Sequence, residues 1–456
     1  MRNRFTSIVL LLLLVAPAAT AQPALGESLG EFYSYGDRYY LEVVTLPGTS
    51  GKARTIVPFR LAHDLLTFRR TQSASRRDGE SFVATPEIYV EAIAADGVIA
   101  DRALWRDTVA VASFSLTNAK DLFVPGAVEL MLRPGAYRFR YVLADEGPGS
   151  GMTEQTAAMR VDDFGSPSPA IGMPLFLRAI NGDTLVAGAI GGAAYFGERL
   201  RVFVPLGGAS AGGTLRYDLL SAPKGEGAVG RMLQSGIAEL RPGRTLSPAI
   251  VGERDIRFTL VPGGERSAGA IIDARIDDLA QGDYLLMLTF GSGHGSVTDS
   301  VRFRLRWIDQ PVSLSKTSYA IRSLYPIASD EAIDSLTTGN TERQTRALER
   351  FWAERDPTPG TEFNEAMAEY YRRVDYALFN FRSIGQKDGA FTDRGKIYML
   401  YGAPTEVDRS MQPNSYPREV WTYRLSRQGR TLLSREFVFV DESKTGAYRL
   451  VEYHDL

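Results

Sequence analysis

The sequence predicts a multidomain chain: two tandem all-β immunoglobulin-like sandwiches followed by an α+β C-terminal domain. Three observations predict it. Apolar residues alternate through much of residues 27–310, with no long helical periodicity. A turn-and-strand block recurs at an offset of 147 residues. Beyond residue 310 the apolar spacing shifts to three and four, then returns to two near the end of the chain.

The chain opens with Arg2 and Arg4, an apolar run from Ile8 to Val15, and Ala19-Thr20-Ala21 before Gln22. A positive start, a short apolar core and small residues at the cleavage point make up a secretory signal peptide. Residues 1–21 are therefore expected to be removed near Ala21. The protein is expected to be exported to the periplasm, the outer membrane surface or the medium. The apolar run is shorter than the ~20 residues a membrane span needs, and no later stretch reaches that length.

There are no cysteines. That excludes a lipobox and hence a lipoprotein, and it excludes disulfides, thiolate catalysis and Cys-type zinc sites. Loss of Arg2 and Arg4 with no acid takes the formal charge from −2 to −4. No basic cluster stands out, so nucleic acid is not an expected partner. A length of 456 residues suggests ~3 domains.

The repeat lies in the β-rich part. Leu132-Arg133-Pro134-Gly135-Ala136-Tyr137 recurs as Leu279-Ala280-Gln281-Gly282-Asp283-Tyr284. Tyr137, Phe139, Tyr141 and Leu143 then alternate with polar residues, as do Tyr284, Leu286, Leu288 and Phe290. Period-2 alternation sets each group on one sheet face. Glycine-rich turns follow at Gly147-Pro148-Gly149 and Gly291–Gly295, the second holding His294 as a hairpin loop residue. Val301, Phe303, Leu305 and Trp307 form the returning strand. A Leu-x-x-Gly-x-Tyr turn resembles the tyrosine corner of immunoglobulin-like sandwiches, where the hydroxyl bonds back to upstream backbone. The sandwiches are placed at 27–165 and 170–310, with Ser166-Pro167-Ser168-Pro169 as a stiff linker. Tyr33, Tyr35, Tyr39 and Tyr40 are read as a first strand.

Residues 311–456 read as α+β. Helices are expected at Ser329–Leu336 and Thr341–Arg355, with a break at Asp356-Pro357-Thr358-Pro359-Gly360. Thr361 is a candidate N-cap for a helix running to about Arg382. Phe363, Met367, Tyr370, Val374, Ala377 and Phe381 form its apolar stripe. Strands are expected at 396–401, 420–425, 436–440 and 448–453. Trp352, Tyr370, Tyr371, Tyr376, Phe379, Phe381, Phe391, Tyr398 and Trp421 would fill a core, or in part form an exposed recognition patch.

No metalloprotease, P-loop, dinucleotide or nucleophile-elbow motif is present. His63, His294 and His454 are scattered, so neither a metal site nor a cofactor is expected. Gly188, Gly191 and Gly192 read as turn or bulge glycines. Asp356, Glu365, Glu369 and Asp393 are the carboxylates that acid–base chemistry would use if two of them met. Their plainer reading is a solvated, ion-paired stripe with Arg373.

The blocks Phe351-Trp352 to Asp356-Pro357, Asn364-Glu365, Glu369-Tyr370 and Arg373-Val374 resemble the GWxTD domain family of secreted bacterial proteins. So do Thr392-Asp393-Arg394-Gly395, Tyr401-Gly402-Ala403-Pro404 and Glu419-Val420-Trp421. The resemblance covers about 340–455. It singles out Trp352, Asp356, Asn364, Glu365, Arg373, Gly389, Thr392, Asp393, Arg394, Gly395, Gly402, Pro404 and Trp421 as the family motif. The naming motif reads Gly389-Ala390-Phe391-Thr392-Asp393, with alanine in the tryptophan position. Phe391 is a candidate to fill part of that space.

The resemblance implies export and a bacterial source but no mechanism. The function expected is a non-enzymatic cell-envelope protein binding a protein or surface polymer through its C-terminal domain. The alternative is an exported hydrolase of peptide or glycan using the four carboxylates.

Overall fold

The computed structural model describes residues 39–71, 81–112, 114–117, 122–145, 153–188, 193–208, 213–222, 230–250, 256–263, 267–308, 310–410, 412, 415–427 and 430–455. The expected signal peptide, Tyr33, Tyr35, Gly191, Gly192 and the Gly147-Pro148-Gly149 turn lie outside these residues. Chain contacts divide the protein into two compact units. The first holds residues up to 276 with 281–306, and the second holds 277–280 with 307–456.

The first unit is built mostly of β-sheet. In sheet I, the strand Ala53–Ala62 pairs with Tyr39–Leu41 and Val44–Pro47, and also with Phe123–Leu132. Sheet II runs in the order Thr153–Val161, Gly135–Asp145, Pro86–Ala94, Ile99–Arg106. A three-stranded sheet (Arg69–Thr71, Ser81–Ala84, Val109–Val111) and one short helix, α1 (Phe114–Thr117), complete this half.

Sheet III runs Glu239–Pro242, Ser267–Ala274, Leu200–Gly207, Leu175–Asn181, Thr184–Ala187, Ile256–Pro262, Arg244–Ile250. Sheet IV runs Ala193–Tyr195, Gly295–Arg306, Gly282–Ser292, Thr214–Ser221, Met232–Ile237. Its first pairing is parallel and the others antiparallel.

The strand Ala53–Ala62 is buried at nearly every position, unlike a strand with one wet face. The packing explains it. Val57, Phe59 and Leu61 share a core with Ile88, Val90, Phe139 and Tyr141 of sheet II. Ile56, with Val44 and Leu46, shares a second core with Leu175, Phe203 and Phe258 of sheet III. Sheet III meets sheet IV where the Phe176 and Phe303 rings lie 5.3 Å apart. The 166–169 stretch runs between two buried anchors of the first core, Phe164 and Ala170. A Cβ on Gly172 would come 2.5 Å from the Thr45 carbonyl oxygen, so only glycine allows that approach.

The repeat occupies equivalent places. Gly135–Asp145 and Gly282–Ser292 each start at the repeated glycine and each lie inside their sheet. Phe139, Tyr141, Leu286, Leu288 and Phe290 are buried. The Tyr137 hydroxyl donates to the Arg133 carbonyl at 2.9 Å, the backward bond a tyrosine corner requires. Ser292 pairs with Gly295, which leaves His294 in the hairpin turn.

The second unit carries five helices among the described residues: α2 (Thr317–Arg322), α3 (Asp330–Thr337), α4 (Thr341–Ala353), α5 (Glu365–Asn380) and α6 (Asp393–Tyr401). A 3-10 turn, Gly389–Phe391, precedes α6. Sheet V follows with Glu406–Ser410, Arg418–Arg427, Arg430–Val440 and Arg449–Asp455, paired antiparallel in chain order. Ser329, Asn340, Asn364 and Thr392 cap α3 to α6, each side chain accepting a first-turn N–H.

Two expectations need correction. Asn364, not Thr361, caps α5. Residues 396–401 are the body of α6 rather than a strand. Ile397 and Met399 are buried while Tyr398, Leu400 and Tyr401 are half-buried, so the run is apolar throughout and periodicity cannot separate the two states. The naming motif itself begins in the 3-10 turn Gly389–Phe391.

Candidate functional site

The motif segment sits where α5, the 3-10 turn and α6 touch backbone to backbone. A Cβ on Gly389 would come 2.1 Å from the Ala377 carbonyl oxygen at the end of α5. A Cβ on Gly395 would come 2.2 Å from the Gly389 carbonyl oxygen. Both positions therefore require glycine. Thr392 joins the same two residues. Its hydroxyl donates to the Gly389 carbonyl at 2.8 Å and accepts from the Gly395 N–H at 3.0 Å. The Asp393 carboxylate lies in the first turn of α6, favoured by the helix dipole, and accepts from the Leu450 N–H at 2.8 Å. That bond ties α6 to the last strand of sheet V.

Ala390 is fully buried, and its carbonyl accepts from the Tyr325 hydroxyl at 3.1 Å. Phe391 stacks on Tyr325 at 5.5 Å, with the Arg322 guanidinium 4.7 Å from its ring centre. It does not occupy the Ala390 position.

Arg394 is buried, which is rare for arginine without partners. It reaches Glu419 at 3.4 Å and the Gly446 carbonyl at 3.2 Å. Its guanidinium lies 4.2 Å from the Tyr448 ring centre. The buried Glu419 carboxylate also accepts from Arg409 and from the Trp421 indole, both at 3.1 Å. Asp441 shapes the neighbouring loop, accepting from the Gly446 N–H at 2.7 Å and the Ser443 hydroxyl at 2.9 Å. Burial pushes the Asp441 carboxyl up, but these bonds prevail and hold it below its ordinary value. Asp441 and Gly446 are site residues to which the sequence reading gave no role, and Glu419 entered it only within the Glu419-Val420-Trp421 block. The available signal was an acid two positions before Trp421, on the inward face of a strand.

The remaining motif residues also support the fold. Asn364 donates to the Trp352 carbonyl at 2.8 Å while capping α5. The buried Trp352 indole donates to the Tyr371 hydroxyl at 3.4 Å. Arg373 bonds the Leu400 carbonyl at 3.3 Å, near the end of α6. Gly402, at φ +77°, ends that helix, and its carbonyl accepts from Tyr423 at 3.0 Å. Pro404 follows, half-buried. Trp421 packs on Phe439 at 4.8 Å and on Phe381 at 5.3 Å.

The four candidate carboxylates do not converge as a group. Asp356 accepts from the Thr358 N–H at 2.8 Å, and Glu365 accepts from the Thr358 hydroxyl at 2.5 Å. That hydroxyl also lies 3.4 Å from Asp356, so these two share one threonine. Glu369 is bound by Arg373 at 2.8 Å and Arg372 at 3.1 Å. Asp393 is taken by Leu450. Glu365, Glu369 and Asp393 are exposed. Among the described residues, no three His, Cys, Asp or Glu side chains come together as a metal site needs.

Several apolar side chains of the second unit are exposed, among them two aromatic rings on α5. Tyr376 and Phe379, at i and i+3 on α5, are 46% and 52% exposed, and Ile384 beyond the helix is 83% exposed. Tyr376 stacks on Tyr398 at 4.3 Å with the rings 11° from parallel. The Arg382 guanidinium lies 5.1 Å from the Phe379 ring centre. These rings are held in place yet open. Of the aromatic residues expected to form either core or patch, Trp352, Tyr370, Tyr371, Phe381 and Trp421 are core, while Tyr376 and Phe379 are surface.

Residues 309–455 match the family model of the GWxTD domain. No curated protein matches the chain. Among solved structures, the C-terminal domain of the Streptococcus pyogenes antigen I/II-family protein AspA is 10% identical, covering 59% of this chain and 99% of that one, with a TM-score of 0.15. The Streptococcus agalactiae AgI/II polypeptide BspA C-terminal domain is 8% identical, with the same two coverages and a TM-score of 0.15. A family 123 glycoside hydrolase from Clostridium perfringens is 13% identical over 43% of this chain and 35% of that one, with a TM-score of 0.16. Scores this low carry no argument about fold or activity.

Proposed function

We propose that this chain, which carries a GWxTD domain over residues 309–455, is an exported, non-enzymatic cell-envelope protein. It binds an envelope protein or surface polymer through that domain. One observation carries the reading. The motif side chains are engaged in bonds within the domain, while Tyr376, Phe379 and Ile384 stand exposed beside them. Large aromatic side chains grouped on a surface are the usual anchors of recognition.

The arrangement ahead of the domain supports a presenting role. Sheets I and II, and sheets III and IV, serve as two tandem immunoglobulin-like sandwiches. The tyrosine-corner bond of Tyr137 supports that assignment. Arg2, Arg4, the Ile8–Val15 run and Ala19-Thr20-Ala21 support export. No helix among the described residues is long and apolar enough to cross a membrane.

The test is fractionation of the source cells with N-terminal sequencing of the recovered protein. A start at Gln22, found in the envelope or medium, is expected. An uncleaved start at Met1 in the cytosol would overturn the proposal.

A further inference from the structure

The exposed rings of α5 have further apolar neighbours. Val312 is 58% exposed and is tied to α5 through Asp375, whose carboxylate accepts the Val312 N–H at 2.6 Å and the Ser313 N–H at 2.9 Å. Phe379 follows Asp375 by one helical turn on the same side. Beyond the helix, Ser383 and Gln386 exchange backbone bonds at 2.9 and 3.3 Å, and the Ile384 N–H donates to the Thr445 carbonyl at 3.4 Å. These bonds close the turn without the Ile384 side chain, which stands in solvent.

The polar groups beside these residues are used within the domain, and they leave one charge over. Both Asp375 oxygens hold backbone, and Glu369 is held by Arg372 and Arg373. The Asn380 amide donates to the Tyr376 carbonyl at 2.8 Å. Asp388 accepts from the Tyr319 hydroxyl and the Ala390 N–H, both at 3.1 Å. Arg382 differs. Its Nε donates to the Leu378 carbonyl at 2.9 Å and its guanidinium lies against Phe379, but among the described residues it pairs with no acid. Lys387, at the far end of the turn, is also exposed. We infer, resting on the recognition proposed above, that the occupant is a polypeptide segment: it sets apolar side chains against Val312, Phe379 and Ile384 and a carboxylate against Arg382. A sugar polymer brings hydroxyls that must be paired where the contact excludes water. Val312, Phe379 and Ile384 have no side-chain polar atom to offer, and the neighbouring acids and amide are engaged. A lipid surface is also a poor match, since even a whole myristoyl chain holds a membrane only marginally and Ile384 alone tips the turn. Apolar residues with an acid among them match both the surface and its charge, and a charge-assisted bond to arginine fixes their orientation.

The test is co-sedimentation of the full mature chain with envelopes of the source cells in three preparations: untreated, digested with protease and washed, or oxidised with periodate to destroy sugars. Binding to untreated and to periodate-treated envelopes is expected, with at least a tenfold loss on the protease-digested ones. Against untreated envelopes at low salt, Arg382→Glu should lose at least tenfold and Ile384→Ser severalfold. Arg343→Glu, on α4, is the control expected to bind as the parent does. The gap between the parent and Arg382→Glu should narrow at high salt. Binding that survives protease and falls on periodate would overturn the polypeptide partner and leave recognition by the domain standing. Binding reproduced by vesicles of the extracted envelope lipids would overturn it as well. So would an Arg382→Glu variant that binds like the control. No binding to untreated envelopes would overturn this inference and the recognition it rests on together. Melting curves of each variant separate a lost contact from a lost fold.

Discussion

Both units give a deeply buried acid its partners, Glu87 with Tyr89 and Arg106 in the first and Glu419 with Arg394, Arg409 and Trp421 in the second, but they differ at the margin of the core. The β-rich unit hides apolar side chains on both faces of its inner sheets, and some of its acids are left in poor surroundings. Burial, with Asp299 close by, pushes the Asp162 carboxyl up to about 6. The second unit buries Arg394, Glu419 and Asp441 and gives each several partners. It also brings backbones into contact at Gly389 and Gly395. Its motif is therefore an internal joint, and the recognition proposed for this unit is placed outside that joint.

The joint can be broken most severely at a glycine. Gly389→Val sets side-chain atoms against the Ala377 carbonyl, an immovable backbone group. It is expected to cost more than about 4 kcal/mol and to unfold the second unit, read as loss of its cooperative melting transition. Arg394→Met leaves Glu419 buried without its arginine from α6. The expected loss is about 3–5 kcal/mol in denaturant unfolding. A change under about 1 kcal/mol would mean that Arg409 and Trp421 alone suffice. Thr392→Ala removes both a helix cap and the bond to Gly389, with an expected cost of about 1–2 kcal/mol.

The first unit offers the opposite sign. Asp162 has a folded value raised above its ordinary 3.8, so the folded chain holds that proton more tightly. Unfolding then releases protons between 3.8 and about 6, so stability falls as pH rises through that window and levels off above it. Asp162→Asn should reduce this slope, leaving the part that comes from Asp299, whose carboxyl is also pushed up by burial. It should stabilise the protein at pH 7 by about 1–2 kcal/mol. Holding a proton tenfold more tightly is worth about 1.4 kcal/mol, and solvent reaching the partly exposed carboxyl reduces the total. Melting curves across pH 4–7 check it. Asp441 behaves oppositely, because its lowered value contributes stability that is lost on acidification.

Much of this organisation is legible in the sequence, for reasons that vary by element. The stripe Tyr370, Val374, Ala377, Phe381 foretells α5 because helix packing repeats locally. The Gly135 and Gly282 repeat foretells two corresponding strands because a tyrosine corner is local as well. α6 escapes detection because Ile397 to Tyr401 is apolar on every side. The contact between sheets I and III escapes it because Ile56 and Val57 look alike in sequence while facing different cores. The Arg394–Glu419 pair spans 25 residues and no local pattern announces it. Tyr376 and Phe379 carry the same residue types as the buried rings, so only the structure separates surface from core.

Binding through the exposed rings of the second unit is measured by co-sedimentation of the mature protein with isolated envelopes of the source cells. The unmodified chain is compared with Tyr376→Ser/Phe379→Ser. Tyr376→Ser gives up the stack on Tyr398, so the variant should melt about 1–2 kcal/mol below the parent while keeping its cooperative transition. The parent is expected to bind, and the still folded variant to lose at least tenfold in affinity. Equal binding by both, or none by either, would contradict recognition through these rings.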